Sequence, residues 1–319
     1  MKILVLGSGE PMQSLPFDTQ KGTLSVFTNL EVTVARASGP TIARWQLGAQ
    51  LKSLREAAKV THRDIAAELG CSESKIYKIE AGDVGMGRAD LLVMLGKYDV
   101  ADDSHRETML DLQKQGKERG WWARYGQLPG PYSMYIGLES AATAVRNFEL
   151  AVMPGLLQTE DYTRALLNEQ RLKDSAEAVE RGVQVRVARQ EAALNDDPPL
   201  QLWTIIDEGA LHRRIGSAEV MHAQLMHLIE MSKRKNINVQ VVPFSEGAHP
   251  GTLGSVAILE FPEEVHSPVA YVETFAGDVY LERDDDMSRV TLAYTHLHSS
   301  ALSAIKSREL IAEIASKLA

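Results

Sequence analysis

The chain has 319 residues, a length that suits two domains better than one. Its contents of 44% hydrophobic and 24% charged residues exclude a wholly disordered chain, and no apolar run is long enough to predict a transmembrane helix. A single cysteine, Cys71, excludes an internal disulfide and a multi-cysteine zinc site, so the sequence predicts a cytoplasmic protein.

Charge is distributed unevenly along the chain. The whole sequence carries a net charge of -9, and residues 130–319 hold 27 acidic against 17 basic side chains. Residues 34–82 instead hold eight basic and five acidic side chains. This asymmetry predicts a mildly basic module ahead of an acidic body, and it argues against a uniformly basic coat for nucleic acid.

Residues 1–36 contain only short apolar stretches and are predicted to form a weakly structured extension. Gly7 and Gly9 are similar to the opening of a dinucleotide-binding turn, but Met12 stands where that turn needs a third glycine. Prolines also interrupt any helix that would follow. A natural start of the chain near Val34 is an alternative interpretation of this segment.

A group of helices is predicted after the extension. From Thr41 to Lys59, apolar residues recur at helical spacing. They are Trp45, Leu47, Leu51 and Leu54. Arg88 to Lys97 predicts another helix, and residues 101–120 predict an amphipathic one. The helix that starts at Arg88 offers three apolar residues to the core of this module, Leu91, Leu92 and Leu95.

Between these helices, the sequence predicts two short helices that meet at a tight turn. Thr61 is placed to cap a helix from His62 to Leu69, and Gly70 is expected to end it because glycine adopts a positive φ readily. Ser72 is placed to cap a third helix that runs to Ala81. Two short helices around a glycine turn, held between flanking helices, predict a helix-turn-helix module.

The outer face of the third helix is polar, as expected of a helix that enters the major groove of DNA. Lysine donates to guanine acceptors or phosphates, glutamate accepts from cytosine, and serine bonds to several bases. His62, at the start of the preceding helix, lies where a donor and the helix dipole would hold a phosphate. The predicted DNA-binding residues are His62, Ser72, Glu73, Ser74, Lys75, Tyr77 and Lys78.

The segment Val60–Gly82, VTHRDIAAELGCSESKIYKIEAG, closely resembles the phage-repressor (XRE) helix-turn-helix family. That family usually has glutamine at the position of His62 and often has arginine at the position of Ala81. Glu80 matches its acidic position, for which we predict a structural role. The resemblance implies that the protein binds a double-stranded DNA operator as a homodimer.

After residue 120 the sequence predicts a mixture of helices and strands. A helix is expected at Gly137–Arg146 and a long helical region at Asp284–Lys317. The predicted strands are 148–152, 200–206, 237–242, 255–261, 269–274 and 279–281. Aromatic residues are concentrated at 121–125, and a turn is expected at 154–159. We predict that a partner or ligand contacts Trp121, Trp122, Pro154, Leu156 and Leu157.

This half of the chain also resembles a known domain of unknown function. The residues that carry the likeness are Tyr135–Glu139, Val152–Thr159 and Tyr162–Ala165. The domain follows an XRE helix-turn-helix in many regulators of filamentous high-GC Gram-positive bacteria. The resemblance implies a transcriptional regulator. It also implies an antitoxin-like arrangement in which the C-terminal domain pairs with a small acidic partner protein.

Signals for catalysis, metals or cofactors are weak. Cys71 lies inside the predicted turn, where packing explains it better than nucleophilic chemistry. The pairs His222–His227 and His296–His298 lack the spacing of a helical zinc motif. The acidic run Asp284–Asp286 fits a helix start. We therefore predict no enzyme activity, no metal and no cofactor.

The sequence thus predicts an α+β protein in three parts. A weakly structured extension spans 1–36, an all-α helix-turn-helix domain of about five helices spans 37–115, and an α+β regulatory or interaction domain spans 116–319. The predicted function is sequence-specific, dimeric DNA binding in transcriptional regulation. The C-terminal domain is expected to serve dimerisation, partner binding or signal sensing. An alternative is a protein-interaction module that captures a small partner, with DNA binding secondary.

Overall fold

The computed structural model describes residues 39–126, 128, 130–170, 174–262, 266–274 and 277–318. The predicted extension at 1–36 lies outside the described residues. Helices come first along the described chain, and a mixed α+β region built on one sheet follows them. The predicted fold class is confirmed. Within the described residues, no helix is both long and apolar enough to span a membrane.

Five helices open the described chain, as the sequence predicts. They are α1 Pro40–Ala57, α2 His62–Glu68, α3 Glu73–Glu80, α4 Arg88–Lys97 and α5 Asp103–Gly116. One apolar cluster joins all five helices, with Leu51, Ile65, Ile76, Leu91 and Met109 fully buried in it. In α4, Met94 is buried and Leu92 is 37% exposed, so the predicted inward position of Leu92 is wrong. Leu91, Met94 and Leu95 follow the i, i+3, i+4 spacing of one helix face.

The start of each short helix is fixed by the caps that the sequence predicts. Thr61 and Asp64 form a reciprocal capping box at the start of α2. Ser72 Oγ accepts a hydrogen bond from the backbone N–H of Lys75 at 3.3 Å at the start of α3. Gly70 between them has a φ of 61°, where a side chain would be strained. These local interactions set the turn between α2 and α3.

The rest of the described chain forms a six-stranded sheet with helices around it. The helices are α6 Gly130–Ala141, α7 Glu160–Gln170, α8 Ala176–Leu194, α9 Glu208–His212, α10 Ala218–Met231, α11 Asp284–Ser300 and α12 Ala304–Ser316. The strands are β1 Ala144–Glu149, β2 Gln201–Asp207, β3 Ile237–Val242, β4 Val256–Glu260, β5 Val269–Thr274 and β6 Gly277–Leu281. Their order is β3-β2-β1-β4-β5-β6. The first three strands are parallel, and β4 to β6 add an antiparallel half.

The two faces of the sheet bury different sets of residues. One face contributes Leu202, Val239 and Leu259 to a large core that also contains residues of α6, α7, α8, α10 and α12. The opposite face contributes Phe148 and Ile205 to a smaller core with Tyr294 and Leu297 of α11. Neighbouring residues of a strand point to opposite faces of the sheet and lie in different cores. The sheet therefore lies between two layers of helices.

The helix predicted at Gly137–Arg146 exists, but its predicted bounds are wrong. The helix in this region is α6, which begins at Gly130 and ends at Ala141, and residues 144–149 form β1 instead of the predicted strand at 148–152. Pro131 does not prevent this earlier start, because proline is tolerated in the first turn of a helix.

Helix α1 belongs to both hydrophobic cores. Its N-terminal half places Ile42 and Trp45 in the core of the sheet region, while Leu47 and Leu51 lie in the core of the first five helices. The side chain of Thr41 in α1 packs directly on Gly137 of α6, where an added Cβ would overlap Thr41 Oγ1. The two halves of the chain are therefore joined through one continuous helix.

Candidate nucleic-acid interface

Helix α3 has one buried face and one polar face. Ile76 and Ile79 are 0% and 2% exposed, and they fix the helix on the core below. The opposite face is open to solvent and carries Glu73, Ser74, Lys75, Tyr77 and Lys78. The predicted exposure of these five side chains is confirmed, and their contact with DNA stays a prediction.

A buried ion pair holds the C-terminal end of α3 against α1. The guanidinium of Arg55 donates from Nε to Glu80 Oε1 at 2.6 Å and from Nη2 to Glu80 Oε2 at 3.0 Å. Both residues are less than a tenth exposed, and the hydrogen bonds to Glu80 raise the pKa of Arg55. Arg55 also donates to the carbonyl of Val60 at 3.2 Å, in the loop before α2. Glu80 therefore occupies the structural position that the sequence predicts.

His62 is connected to the same ion pair. Its Nε2 lies 3.0 Å from Glu80 Oε2, and its ring stacks on the ring of Tyr77 with centroids 3.7 Å apart. The Nε2 atom thus faces Glu80 rather than a phosphate. A phosphate bound at the start of α2 would therefore contact the other ring nitrogen of His62 and the backbone N–H groups of the first turn. Neither the stacking nor the partnership of His62 with Glu80 follows from their sequence spacing.

The two lysines of α3 have different surroundings. Lys75 Nζ lies 3.6 Å from Asp90 Oδ2 in the first turn of α4, with both side chains partly exposed. Lys78 is exposed, and among the described residues it forms no ion pair. Arg63, next to His62 in α2, and Arg88, at the start of α4, are further exposed cations that the sequence interpretation missed. This surface combines oriented donors with positive charge, which is the chemistry that binds DNA.

Trp121 and Trp122 lie in a short 3-10 helix, residues 121–125, that packs on α6. Trp122 is 8% exposed, and its Nε1 donates to Ser133 Oγ at 2.9 Å. Trp121 Nε1 donates to Ser140 Oγ at 3.2 Å. Both indole N–H groups are therefore used within the protein, which favours packing over ligand binding.

Pro154, Leu156 and Leu157 are buried, with Leu156 and Leu157 at 3% and 0% exposed. A partner or ligand contact at these residues stays a prediction, and their burial in this structure favours a packing role. The two leucines lie in the large core beside the sheet, and burial is the most stable position for their apolar side chains.

The segment around these residues is held by side-chain hydrogen bonds to its backbone. Gln224 Nε2 donates to the carbonyl of Leu157, and its Oε1 accepts from the N–H of Thr159, both at 2.7 Å. The hydroxyl of Tyr162 accepts from the N–H of Met153 at 3.1 Å. These bonds satisfy backbone groups that burial would otherwise leave unpaired. The sequence motif at 152–159 therefore encodes an internal structural loop.

A titratable carboxyl lies at the carboxyl end of β1. Burial raises the pKa of Glu149 to about 7, although hydrogen bonds from Ser255 and Asn147 oppose the shift. Asn147 Nδ2 donates to Glu149 Oε1 at 3.2 Å. In the unfolded chain this carboxyl loses its proton near 4.5, so the folded state binds more protons between these values.

We expect the free energy of unfolding to fall as the pH rises from about 4.5 to about 7, because the folded protein must ionise the partly buried carboxyl of Glu149. Glu149→Gln removes this group and should flatten that fall. Thermal unfolding of both proteins at about pH 5 and about pH 8 measures the difference. An equal pH dependence in the variant would assign the slope to other groups.

Comparison with family models divides the chain in the same way as the fold. A model described as a helix-turn-helix domain matches residues 46–109, which span α2 to α4, most of α1 and half of α5. A model described as a domain of unknown function (DUF5753) matches residues 132–313. No curated protein and no solved structure matches the chain. The second match covers more than half of the sequence, and the chain therefore belongs to the DUF5753 family, with a helix-turn-helix domain ahead of the family domain.

Proposed function

We propose that the protein is a sequence-specific, DNA-binding transcriptional regulator whose helix-turn-helix is of the phage-repressor (XRE) type. The observation that carries the proposal is the geometry of α3. Its polar face is open to solvent, while buried Ile76 and Ile79 and the Glu80–Arg55 ion pair fix its orientation. A rigid helix with exposed donors is what readout of base edges in the major groove requires.

The negative charge of residues 130–319 favours sequence-specific over nonspecific DNA binding. Residues 130–319 hold ten more acidic than basic side chains, which discourages nonspecific contact of the sheet region with DNA. In a homodimer, two copies of α3 would enter major grooves one helical turn apart, about 34 Å. The proposal places the protein in the cytoplasm and assigns it no catalysis, metal or cofactor.

A second candidate function is capture of a small acidic partner protein by the C-terminal domain, in an antitoxin-like arrangement. One observation favours it: the loop between β3 and β4 exposes Phe244 at 61% and Leu253 at 96%. Exposed apolar side chains of this size are candidates for a protein contact. Pairwise binding between the purified protein and a co-encoded small protein, lost in a Phe244→Ser and Leu253→Ser variant, would support this function.

The double substitution Lys75→Ala and Lys78→Ala tests DNA binding directly. We expect at least a ~10-fold loss of affinity for an operator identified by genomic pull-down and sequencing, because two donors leave the groove-facing helix. Fluorescence anisotropy with a labelled operator duplex measures this loss. The wild type should also bind more weakly as salt increases, because phosphate contacts release counterions.

The matched control is Lys233→Ala with Lys317→Ala, which removes the same charge from exposed lysines of the C-terminal domain. We expect this control to bind the operator like the wild type. Equal affinity of the α3 variant and the control would contradict the proposal that α3 contacts DNA.

A further inference from the structure

The pair formed by Lys75 and Asp90 places a carboxylate beside the groove-facing surface of α3. The distance from Lys75 Nζ to Asp90 Oδ2 is 3.6 Å, and the side chains are 45% and 34% exposed. Asp90 lies in the first turn of α4, where a negative charge is favoured by the helix dipole. Stabilisation of α4 alone does not require the carboxylate to face a lysine of the neighbouring helix.

A carboxylate at position 90 weakens the attraction of this surface to DNA of any sequence. It offsets the charge of Lys75 and repels the phosphates that flank a groove. A lysine held by a carboxylate is also less free to follow any nearby phosphate, since it has a fixed partner and fewer accessible rotamers. The same restraint benefits a contact with one particular base, because the ammonium group is already confined to a small volume.

We propose that Asp90 is a specificity-determining residue that positions Lys75 toward a base edge and away from phosphates. The inference rests on the proposed DNA-binding function and extends it to a residue outside the helix-turn-helix pair itself. Asp90 acts through Lys75 and by repulsion of phosphates, so it lowers affinity for random DNA more than affinity for the operator. Such a residue increases discrimination by weakening the wrong complex.

A matched control exists in the same module. Glu68 of α2 lies 3.4 Å from Lys97 of α4, with side chains 48% and 44% exposed. Glu68→Gln and Asp90→Asn therefore remove the same charge from the same group of helices and each breaks one exposed ion pair. The essential difference is that only the Asp90 pair includes a residue of α3.

The experiment measures binding to the operator duplex and to a random duplex of equal length, over a range of salt concentrations. For Asp90→Asn we expect the ratio of operator to random affinity to fall ~5-fold or more. We also expect the salt dependence on random DNA to steepen by about one released counterion, because a freed Lys75 contacts a phosphate. Glu68→Gln should leave the ratio unchanged, and Asp90→Glu should keep most of it because the carboxylate remains.

A second measurement separates positioning from a change in helix stability. In a Lys75→Ala background, Asp90→Asn should steepen the salt dependence on random DNA much less than it does with Lys75 present, since only the phosphate repulsion is then removed. If the ratio of operator to random affinity were the same in Asp90→Asn as in Glu68→Gln, while the wild type still bound DNA, only the role of Asp90 would be overturned. Absence of DNA binding by the wild type would instead overturn the proposed function.

Discussion

Replacing Gly48 by alanine is expected to destabilise the protein by about 2–3 kcal/mol and to weaken DNA binding with it. A Cβ at Gly48 of α1 would lie 2.7 Å from the carbonyl oxygen of Ile79 and 2.5 Å from that of Glu80. Both atoms belong to the backbone of α3, so no side chain can rotate away to make room. The substitution must push α3 away from α1 and disturb the Glu80–Arg55 pair, although alanine is the better helix former by about 1 kcal/mol.

Gly96→Ala in α4 is the matched control for this prediction. Gly96 is exposed, and a Cβ built there meets no atom within 4 Å. Because the helix accepts alanine without strain, this variant should be more stable than the wild type by about 0.4–1 kcal/mol. Urea unfolding of the three proteins measures both changes. A Gly48→Ala protein as stable as the wild type would show that α1 and α3 lie farther apart than described.

The parts of the interface that depend on local chemistry could be predicted from the sequence. The caps at Thr61 and Ser72, the glycine turn and the inward direction of Ile76 and Ile79 involve residues within a few positions of each other. Turn geometry and helical periodicity determine such features without reference to the rest of the chain. For this reason the exposed face of α3 was predictable.

Features that depend on distant parts of the chain could not be predicted in this way. Trp45 is predicted together with Leu47 and Leu51, yet two positions turn a helix by about 200°, so Trp45 lies on the opposite side of α1. It packs in the core beside the sheet, because α1 extends beyond the first module and contacts α6. Arg55 and Asp90 lie outside the two short helices, and only the packing of α1 and α4 brings them to α3. Periodicity shows that a residue is buried but not which core receives it.

The 152–159 segment illustrates a different limit. Its proline, glycine and small apolar content indicates a turn, and turns usually lie at the surface. Here Gln224 supplies the hydrogen bonds that allow the loop backbone to be buried, and it lies 67 residues after Leu157. No local pattern around Pro154 shows that a distant side chain provides these bonds. The burial of Leu156 and Leu157 could not be predicted for this reason.

The second large effect is expected at the buried ion pair between α6 and α8. Arg189 donates from Nε and Nη2 to the two carboxylate oxygens of Glu139, each at 2.6 Å, and both residues are less than a tenth exposed. Glu139→Gln leaves the guanidinium buried without an anion, which should cost about 3–5 kcal/mol. At about 2–4 °C per kcal/mol for a domain of this size, the unfolding midpoint should fall by roughly 10 °C.

Glu180→Gln on the same helix α8 is the control, because it removes a carboxylate 3.0 Å from a partly exposed partner, Arg164. An exposed pair contributes at most about 1 kcal/mol, so this variant should unfold close to the wild-type temperature. Replacing Glu139 and Arg189 together by methionine should cost less than Glu139→Gln alone, since no unpaired charge remains buried. If the double variant were the less stable of the two, the cost would lie in lost packing between α6 and α8. Helix α6 also packs on α1, which in turn packs on α3. That outcome would mean that the Glu139–Arg189 pair affects the position of α3 through packing and not through charge.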